Sequence, residues 1–449
     1  MMNFRTHIKE TIKLAVPISL GQLGHVMMGV IDSLMVGKVG YTSLAAASLV
    51  NGLFFLVLVV GIGMTYASTP LIAIAKGSNN KSACGKILNH SLIVNVTFSI
   101  FLMLGTFSLS FLIPHMNQSK EVVREAIPYL QILTLSVIPF MVFQCYRQFL
   151  EGLSIPNPPM IIAISANLLN AFLNWILIYG NFGLPAMGLF GAGIATTTTR
   201  WVMAVVLMIF TLKYVRVKIY EPKFKIKPLD NNLVKKLINI GLPSGLQYLL
   251  EVGAFAFAAI MIGWIGAKQL AAHQIAISLA SATYMVILGI ASAGTIRVGD
   301  AVGKKSIEQI RLAGFSAMGL ASAVMLTFAV IFFLFKNILP TFYNNNSEVI
   351  EIARVLLIVA GLFQLFDGLQ ATGIGILRGL TDVKIPLLIS ILTYWVVAIP
   401  ISYLLGFVFN FGAAGIWIGL LLGLASLGIT MLFRFNIKSK TIFVRDRLI

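Results

Sequence analysis

Three carboxylates stand inside otherwise apolar, helix-length runs of this chain: Asp32, Glu251 and Asp367, out of 15 Asp and Glu in all. An acidic side chain at the centre of a membrane helix costs on the order of 2.5–3.5 kcal/mol by insertion scales, so such residues face a cavity, a partner or an ion. Glu251 is the most isolated, in GLPSGLQYLLEVGAFAFAAIMIG at 241–263, with Gln247 four residues before it and Ala254 and Ala258 three and seven after. That spacing makes one side of a helix polar and then small, a face expected to look into a water-filled lumen. Around Asp32, the residues Gln22, His25 and Gly29 recur at intervals of three and four, and around Asp367 so do Gln364, Gln370 and Ala371. Two further polar stripes are Asn167, Asn170 and Asn174, and Gln274, Ser278 and Ser281. A buried carboxylate can be neutralised by a proton or paired with Na⁺, and two carboxylates converging with amide oxygens make a hard-oxygen cation site, here Glu251 and Asp367. Neutralising either changes the charge of its surroundings and can shift a conformational balance. Interhelical hydrogen bonding serves equally well as a reading of Asn167, Ser278 and Ser281. His25 reads as a helper and not an ion ligand, and Arg200 as structural.

The elements that must position these groups are membrane helices. The chain has 449 residues, 58% hydrophobic and 11% charged, with mean hydropathy +0.93. Apolar runs long enough to cross roughly 30 Å of hydrocarbon as helix recur from end to end. Twelve are expected, near 12–36, 46–75, 88–113, 127–151, 159–180, 188–213, 238–263, 270–300, 312–335, 349–377, 384–408 and 412–435. The first lacks a small-residue cleavage site and reads as a retained helix. The net charge of +18 reads as topology and not as a nucleic-acid surface. Lys and Arg collect in the loops on one face, including Lys213, Arg216, Lys218, Lys223, Lys225, Lys227, Lys235 and Lys236, whereas only Lys38, Lys120, Arg124, Lys268 and Lys336 fall in loops on the other. By the positive-inside rule both termini are expected in the cytoplasm. Cys84 and Cys145 suggest no disulfide framework.

The sequence matches itself at an offset of 226: Pro17 falls on Pro243, Gly37 on Gly263, Gly40 on Gly266, Gly63 on Gly289, Thr69 on Thr295 and Gly77 on Gly303. At 227, Gly152 and Leu153 fall on Gly379 and Leu380, Pro159 on Pro386 and Gly188 on Gly415. Six spans per half give both halves the same orientation, a parallel repeat. The expected organisation is an N-lobe at 1–210, a basic cytoplasmic linker at 211–237 and a C-lobe at 238–449. Other chemistry is missing from the sequence: GDAVGKKS at 299–306 has the wrong spacing for a phosphate loop, GIGMTYA at 61–67 lacks a third glycine, and HExxH, GxSxG and paired CxxC do not occur. A membrane-embedded enzyme would want an acidic cluster such as DDxxD at a membrane face, and none occurs, so no enzyme activity and no cofactor are expected.

Four stretches together resemble the multidrug and toxic compound extrusion (MATE) transporters, in particular the NorM-like bacterial branch. They are AVPISLGQLGHVMMGVIDSLMVGKVG at 15–40, LLNAFLNWILIYGNFGLPAMGLFGAGIAT at 168–196, GLPSGLQYLLEVGAFAFAAIMIGWIGAKQLAAHQIA at 241–276 and FQLFDGLQATGIGILRG at 363–379. The resemblance covers essentially the whole chain. It implies an all-α bacterial inner-membrane protein of twelve helices, in two lobes about a V-shaped cavity, exporting cationic amphipathic compounds in exchange for Na⁺ or H⁺, Na⁺ being favoured. A monomer is expected. Carried over residue by residue, Asp32 matches the first-helix acid tied to proton coupling, with Asn170 and Asn174 beside it; Glu251 and Asp367 match the cation-coupling carboxylates, and Gln274 a polar cavity position. Pro17 matches a proline associated with bending of the first helix. YNNNSEVI at 343–350 departs from the aspartates that NorM-like relatives often carry there. A lipid-linked saccharide flippase of the same superfamily is the alternative; it would be expected to line its cavity with cationic groups, whereas the buried charges here are acidic.

Overall fold

Runs of apolar residues with few interior breakers leave the backbone one way to satisfy its polar groups in lipid, which is helix. The computed structural model describes residues 4–222 and 229–443, and among them there is no strand. In chain order the helices are α1 Phe4–Gly37, α2 Tyr41–Thr65, α3 Ser68–Gly77, α4 Lys81–Leu112, α5 Lys120–Thr134, α6 Val137–Gly152, α7 Asn157–Tyr179, α8 Gly188–Lys213, the single turn α9 Val215–Lys218, α10 Asn231–Ile265, α11 Ala267–Gly303, α12 Ile307–Phe335, α13 Ser347–Gly379, α14 Lys384–Ile391, α15 Ile399–Tyr403 and α16 Gly412–Thr441. Side chains before the apolar runs cap several of them: Asn80, Ser119, Ser306 and Asn346 each accept a hydrogen bond from a backbone N–H in the first turn that follows.

Among the described residues eleven helical spans are long and apolar enough to cross a membrane, and a bent pair, α5 with α6, makes a twelfth if it is one span. The run expected at 127–151 is therefore not one straight helix: α5 and α6 meet at 43° across Leu135 and Ser136. Pro139, in the first turn of α6, has no N–H to continue the α5 ladder across the break, while hydropathy alone is blind to it. The eleventh span, Lys384–Val408, is irregular in another way, with π-helical stretches at Leu392–Ala398 and Leu404–Val408 on either side of α15.

The repeat is written in the backbone. Asn79 and Lys305, 226 apart, have φ of 57° and 55°, and Ser154 and Thr381, 227 apart, have 64° and 60°. Gly40 and Gly266 share an extended conformation before α2 and α11. Thr69 Oγ1 donates to the carbonyl of Gln148, and its counterpart Thr295 to that of Gly375.

Packing divides the described chain into two units: Leu20–Gly245 forms one, and the residues up to Ser19 with those from Leu246 onward form the other. These limits differ from the sequence boundaries at 210 and 238. They fall two residues after Pro17 and Pro243, inside the unbroken helices α1 and α10. A side chain at Gly63 of α2 would overlap Gly245 and Ser244 of α10, and one at Gly289 of α11 would overlap Ser19 and Ala15 of α1. Gly63 and Gly289 are repeat equivalents, so each half's opening helix starts against the other half's second helix. Of the expected linker, Lys213 lies in α8, Arg216 and Lys218 in α9, and Lys235 and Lys236 in α10. Lys223, Lys225 and Lys227 lie outside the described residues.

The unit from Leu246 onward has its core around α13, where Trp417, Tyr394 and Phe435 are fully buried. The Leu20–Gly245 unit has two apolar clusters, one about Phe143, Tyr146 and Phe149, the other about Tyr129, Leu130 and Leu133.

Candidate functional site

Each unit buries carboxylate chemistry of its own. In the Leu20–Gly245 unit Asp32 is 6% exposed and both its oxygens are occupied. Asn174 Nδ2 of α7 donates to Oδ1 at 2.6 Å and Thr196 Oγ1 of α8 to Oδ2 at 2.8 Å. Asn170 closes the ring, donating to Thr196 Oγ1 at 3.3 Å and accepting from Asn174 Nδ2 at 3.2 Å. Asn170 and Asn174, one helical turn apart, both join the network at Asp32, the place the resemblance implies for them. Thr196 was visible only as the first of a threonine run; nothing local marks it as the member that points at Asp32. Arg200, one turn further along α8, donates to Ser136 Oγ at the α5–α6 break at 2.7 Å and lies over the faces of Phe54 and Phe140. The ring faces and the hydroxyl hold its guanidinium in place.

Gln22 and His25 do not join this network. They share a side of α1 with Asp32, but seven residues of helix separate His25 from it by about 10 Å along the axis. His25 packs edge-on against Phe140 and Phe143, and its Nε2 has no partner. Gln22 accepts from Arg147, whose Nε is paired with Glu151 at 2.6 Å in a bridge whose side chains are 4% and 3% exposed. This buried pair was missed because Glu151 closes its span, where an acid reads as solvated. Asn167 bonds the carbonyls of Gly24 and Ala163 and serves as interhelical glue.

In the other unit Glu251 of α10 is 7% exposed. Tyr284 of α11 donates to its Oε1 at 3.0 Å and Gln370 of α13 to its Oε2 at 3.3 Å. Asp367, 4% exposed, stands one turn before Gln370 on the same helix, and Gln364 one turn earlier donates to Thr283 beside Tyr284 at 2.7 Å. Neither carboxylate is in an ion pair with a described residue. The amide oxygens of Gln364 and Gln370 are buried without partners. Gln247 is held by its Nε2 on Ser390 Oγ of α14 at 3.0 Å, a turn from Glu251. The expected lumen-facing stripe is corrected here: Gln247 is 3% exposed and Ala254 and Ala258 are fully buried, because small residues let neighbouring helices close over that face. Gln274 is not brought to Glu251 either; it is exposed and donates to Ser278 one turn along α11. Tyr284 was invisible to periodicity, since it comes from a third helix.

No group of three or more His, Cys, Asp or Glu clusters among the described residues, so a transition-metal centre finds no ligand set there. Two carboxylates with spare amide oxygens are the donor set of a hard monovalent or divalent cation.

The family model MatE matches residues 17–176 and 243–404. The chain belongs to the MatE family. The two matched segments open at Pro17 and Pro243, so the family's own unit is the repeat found above, and they carry Asp32 in one copy and Glu251 and Asp367 in the other. Among full-length relatives, the chain is 33% identical to the probable multidrug resistance protein NorM of Pseudomonas putida, covering 97% of this chain and 95% of the relative. It is 31% identical to the multidrug resistance protein MdtK of Yersinia pseudotuberculosis, covering 100% and 99%. In fold it superimposes on the eukaryotic MATE transporter AtDTX14 with TM-score 0.88 at 21% identity, over 99% of this chain and 100% of that one. A MATE structure in a bent conformation gives 0.90 at 21% identity, over 98% and 97%.

Proposed function

We propose that this MatE-family chain is a bacterial inner-membrane antiporter that exports small organic cations in exchange for an inward-moving cation, Na⁺ in preference to H⁺. Both termini lie in the cytoplasm in this reading. The observation that carries it is the pair Glu251 and Asp367: buried, in no ion pair with a described residue, and accompanied by amide oxygens of Gln364 and Gln370 that are unpartnered among those residues. Two negative charges so placed favour whatever neutralises them, and a cation binding there supplies free energy that a conformational change can use. Tyr284 and Gln370 orient Glu251 so that both its oxygens are fixed. Gln370 then presents its own amide oxygen to the same region. The relatives named as multidrug resistance proteins support organic compounds as the exported cargo. Asp32, with a neutral donor on each oxygen, is the proton-linked or cargo-releasing group of the other unit in this reading.

The test uses proteoliposomes loaded with a fluorescent organic cation, comparing efflux under a Na⁺ gradient with efflux under a pH gradient. The expected result is Na⁺-driven efflux that is lost in Glu251→Gln. Efflux driven by a pH gradient alone and lost mainly in Asp32→Asn would overturn the Na⁺ assignment, and no efflux under either gradient would overturn antiport.

A further inference from the structure

Around Glu251 one more polar atom is buried without a partner, and it comes from a different element. Tyr394 is fully buried in the π-helical stretch Leu392–Ala398, and its hydroxyl has no hydrogen-bond partner among the described residues. A buried hydroxyl left unpaired costs about 1–3 kcal/mol, and an orphan of this kind in a native fold points to a missing ligand or water. The stretch and the turn of α14 before it are pinned to the part of α10 that carries Glu251. Ser390 holds Gln247; Trp395 Nε1 donates to the carbonyl of Leu250 at 3.2 Å; the Tyr394 ring packs on Phe255 with centroids 6.3 Å apart. The three contacts fall before, beside and after Glu251. Phe255 packs in turn on Phe363, one turn before Asp367 on α13, with centroids 5.9 Å apart. π-Helical turns inside α-helices concentrate at functional sites, because the wider turn redirects one side chain at the expense of regular hydrogen bonding.

We infer that the Tyr394 hydroxyl is a member of the cation site around Glu251 and Asp367, and that the π-helical stretch of the eleventh span is there to aim it. This rests on the coupling reading above. Beside the Asp367 carboxylate stand three oxygens unpartnered among the described residues: the amide carbonyls of Gln364 and Gln370 and the phenol of Tyr394. That set suits a hard cation and would repel an anion. With a cation bound there, the phenol oxygen turns a lone pair to it.

The test is equilibrium binding of ²²Na⁺ to the purified full-length protein in detergent, alongside the Na⁺ dependence of efflux. Tyr394→Phe keeps the ring and its packing and removes only the unpaired oxygen. It is expected to weaken Na⁺ binding about tenfold, the size of one such contact, and to raise the Na⁺ concentration for half-maximal efflux equally, with the maximal rate kept. Tyr403→Phe, on the same span and half exposed, should leave the binding unchanged. Trp395→Phe frees the stretch from the Leu250 carbonyl; a several-fold weakening is expected, and this variant carries the test if Tyr394→Phe does not fold. Wild-type binding in Tyr394→Phe, or in Trp395→Phe where only that variant folds, overturns the inference. If Glu251→Gln abolishes binding while Tyr394→Phe does not, the assignment of Tyr394 fails alone. If the wild type binds no Na⁺, or Glu251→Gln binds it as well as the wild type, the coupling reading fails and takes the inference with it.

Discussion

Asp32 and Glu251 are both single acids in the middle of membrane helices with one neutral donor on each oxygen, yet they differ in what else around them is left unpaired. Asp32 is met by as many donors as it has oxygens, and the donors are bonded to one another through Asn170; a single amide oxygen, that of Asn174, is left over. Around Glu251 and Asp367 the amide oxygens of Gln364 and Gln370 and the hydroxyl of Tyr394 are unpaired among the described residues. A closed network stabilises one arrangement of its helices, α1, α7 and α8, and responds when its carboxylate changes protonation. An acceptor-rich one is incomplete without a positive charge. The two sites thus differ in the groups around the carboxylate and not in burial, which is nearly the same, 6% against 7% exposed.

The largest effect that would sharpen this contrast comes from neutralising each site in turn. In Glu251→Gln the new amide can still accept from Tyr284, and Gln370 can turn its spare oxygen toward it, so the helices should keep their packing. Na⁺ binding should fall by roughly 10–100-fold, the worth of a charged contact. Asp32→Asn should leave ²²Na⁺ affinity within error, because Asn174 and Thr196 can bond an amide as well as a carboxylate, yet remove the response of efflux to a pH gradient. Equal loss of Na⁺ binding in both variants would break the comparison, since the two acids would then act as one site.

A smaller effect is expected where the two units are built alike. Gly63 and Gly289 are the points where α10 and α1 come against the second helix of the other repeat, and any side chain there would meet backbone. Gly63→Val and Gly289→Val should each destabilise by about 1–3 kcal/mol through overpacking, read as lowered thermal midpoints. Similar losses would mark the two crossings as equivalent; a loss confined to one would show that only that unit depends on its borrowed helix.

Much of this was legible in the sequence, and the limits are instructive. The helical class, the spans and the repeat follow from hydropathy and from glycine and proline positions, which are local. A shared helix face put Asn170 with Asn174 and Gln370 with Asp367; that the first pair meets Asp32 was implied by the resemblance, and that Gln370 bonds Glu251 is a contact between helices that periodicity does not give. A shared face does not fix height, which is why His25 and Gln22 missed Asp32 and bonded elsewhere. Tyr284, Thr196 and Tyr394 come from helices whose rotation is set by tertiary packing, and no one-dimensional pattern encodes it. The exchange of the opening helices was hidden for a related reason: a repeat of 226 residues reads identically whether each half keeps its first helix or trades the start of it.

The smallest effects lie at the tethers of those traded segments, and here the units differ again. In the unit from Leu246 onward, Arg297 of α11 holds the start of α1 by donating to the His7 carbonyl and to Thr11 Oγ1, the latter at 2.8 Å, in a half-buried site. In the other, the start of α10 is held near α4 by Lys86 on Asp230 at 2.7 Å, with side chains 55% and 35% exposed, and by the Asp230 N–H donating to His90 Nε2 at 3.0 Å. Arg297→Ala should cost about 1.5–3 kcal/mol, because charge-assisted bonds away from water are the strong ones. Lys86→Ala should move the thermal midpoint within error, since exposed pairs are screened. The exposed tether has a pH signature nonetheless. The hydrogen bond from Lys86, helped by the backbone N–H groups of Leu233 and Asn232, holds the Asp230 carboxyl below the usual aspartate range. A group with a depressed folded value stabilises above its unfolded pKa, about 3.9, and loses that contribution as pH falls through the folded value. Asp230→Asn retains the N–H to His90 and an oxygen to cap α10, so the difference between wild type and variant isolates the carboxylate. That difference should be small and constant from about pH 8 to 5 and should vanish in stronger acid; a difference that instead grew on acidification would place the tether's strength in His90 and not in the ion pair.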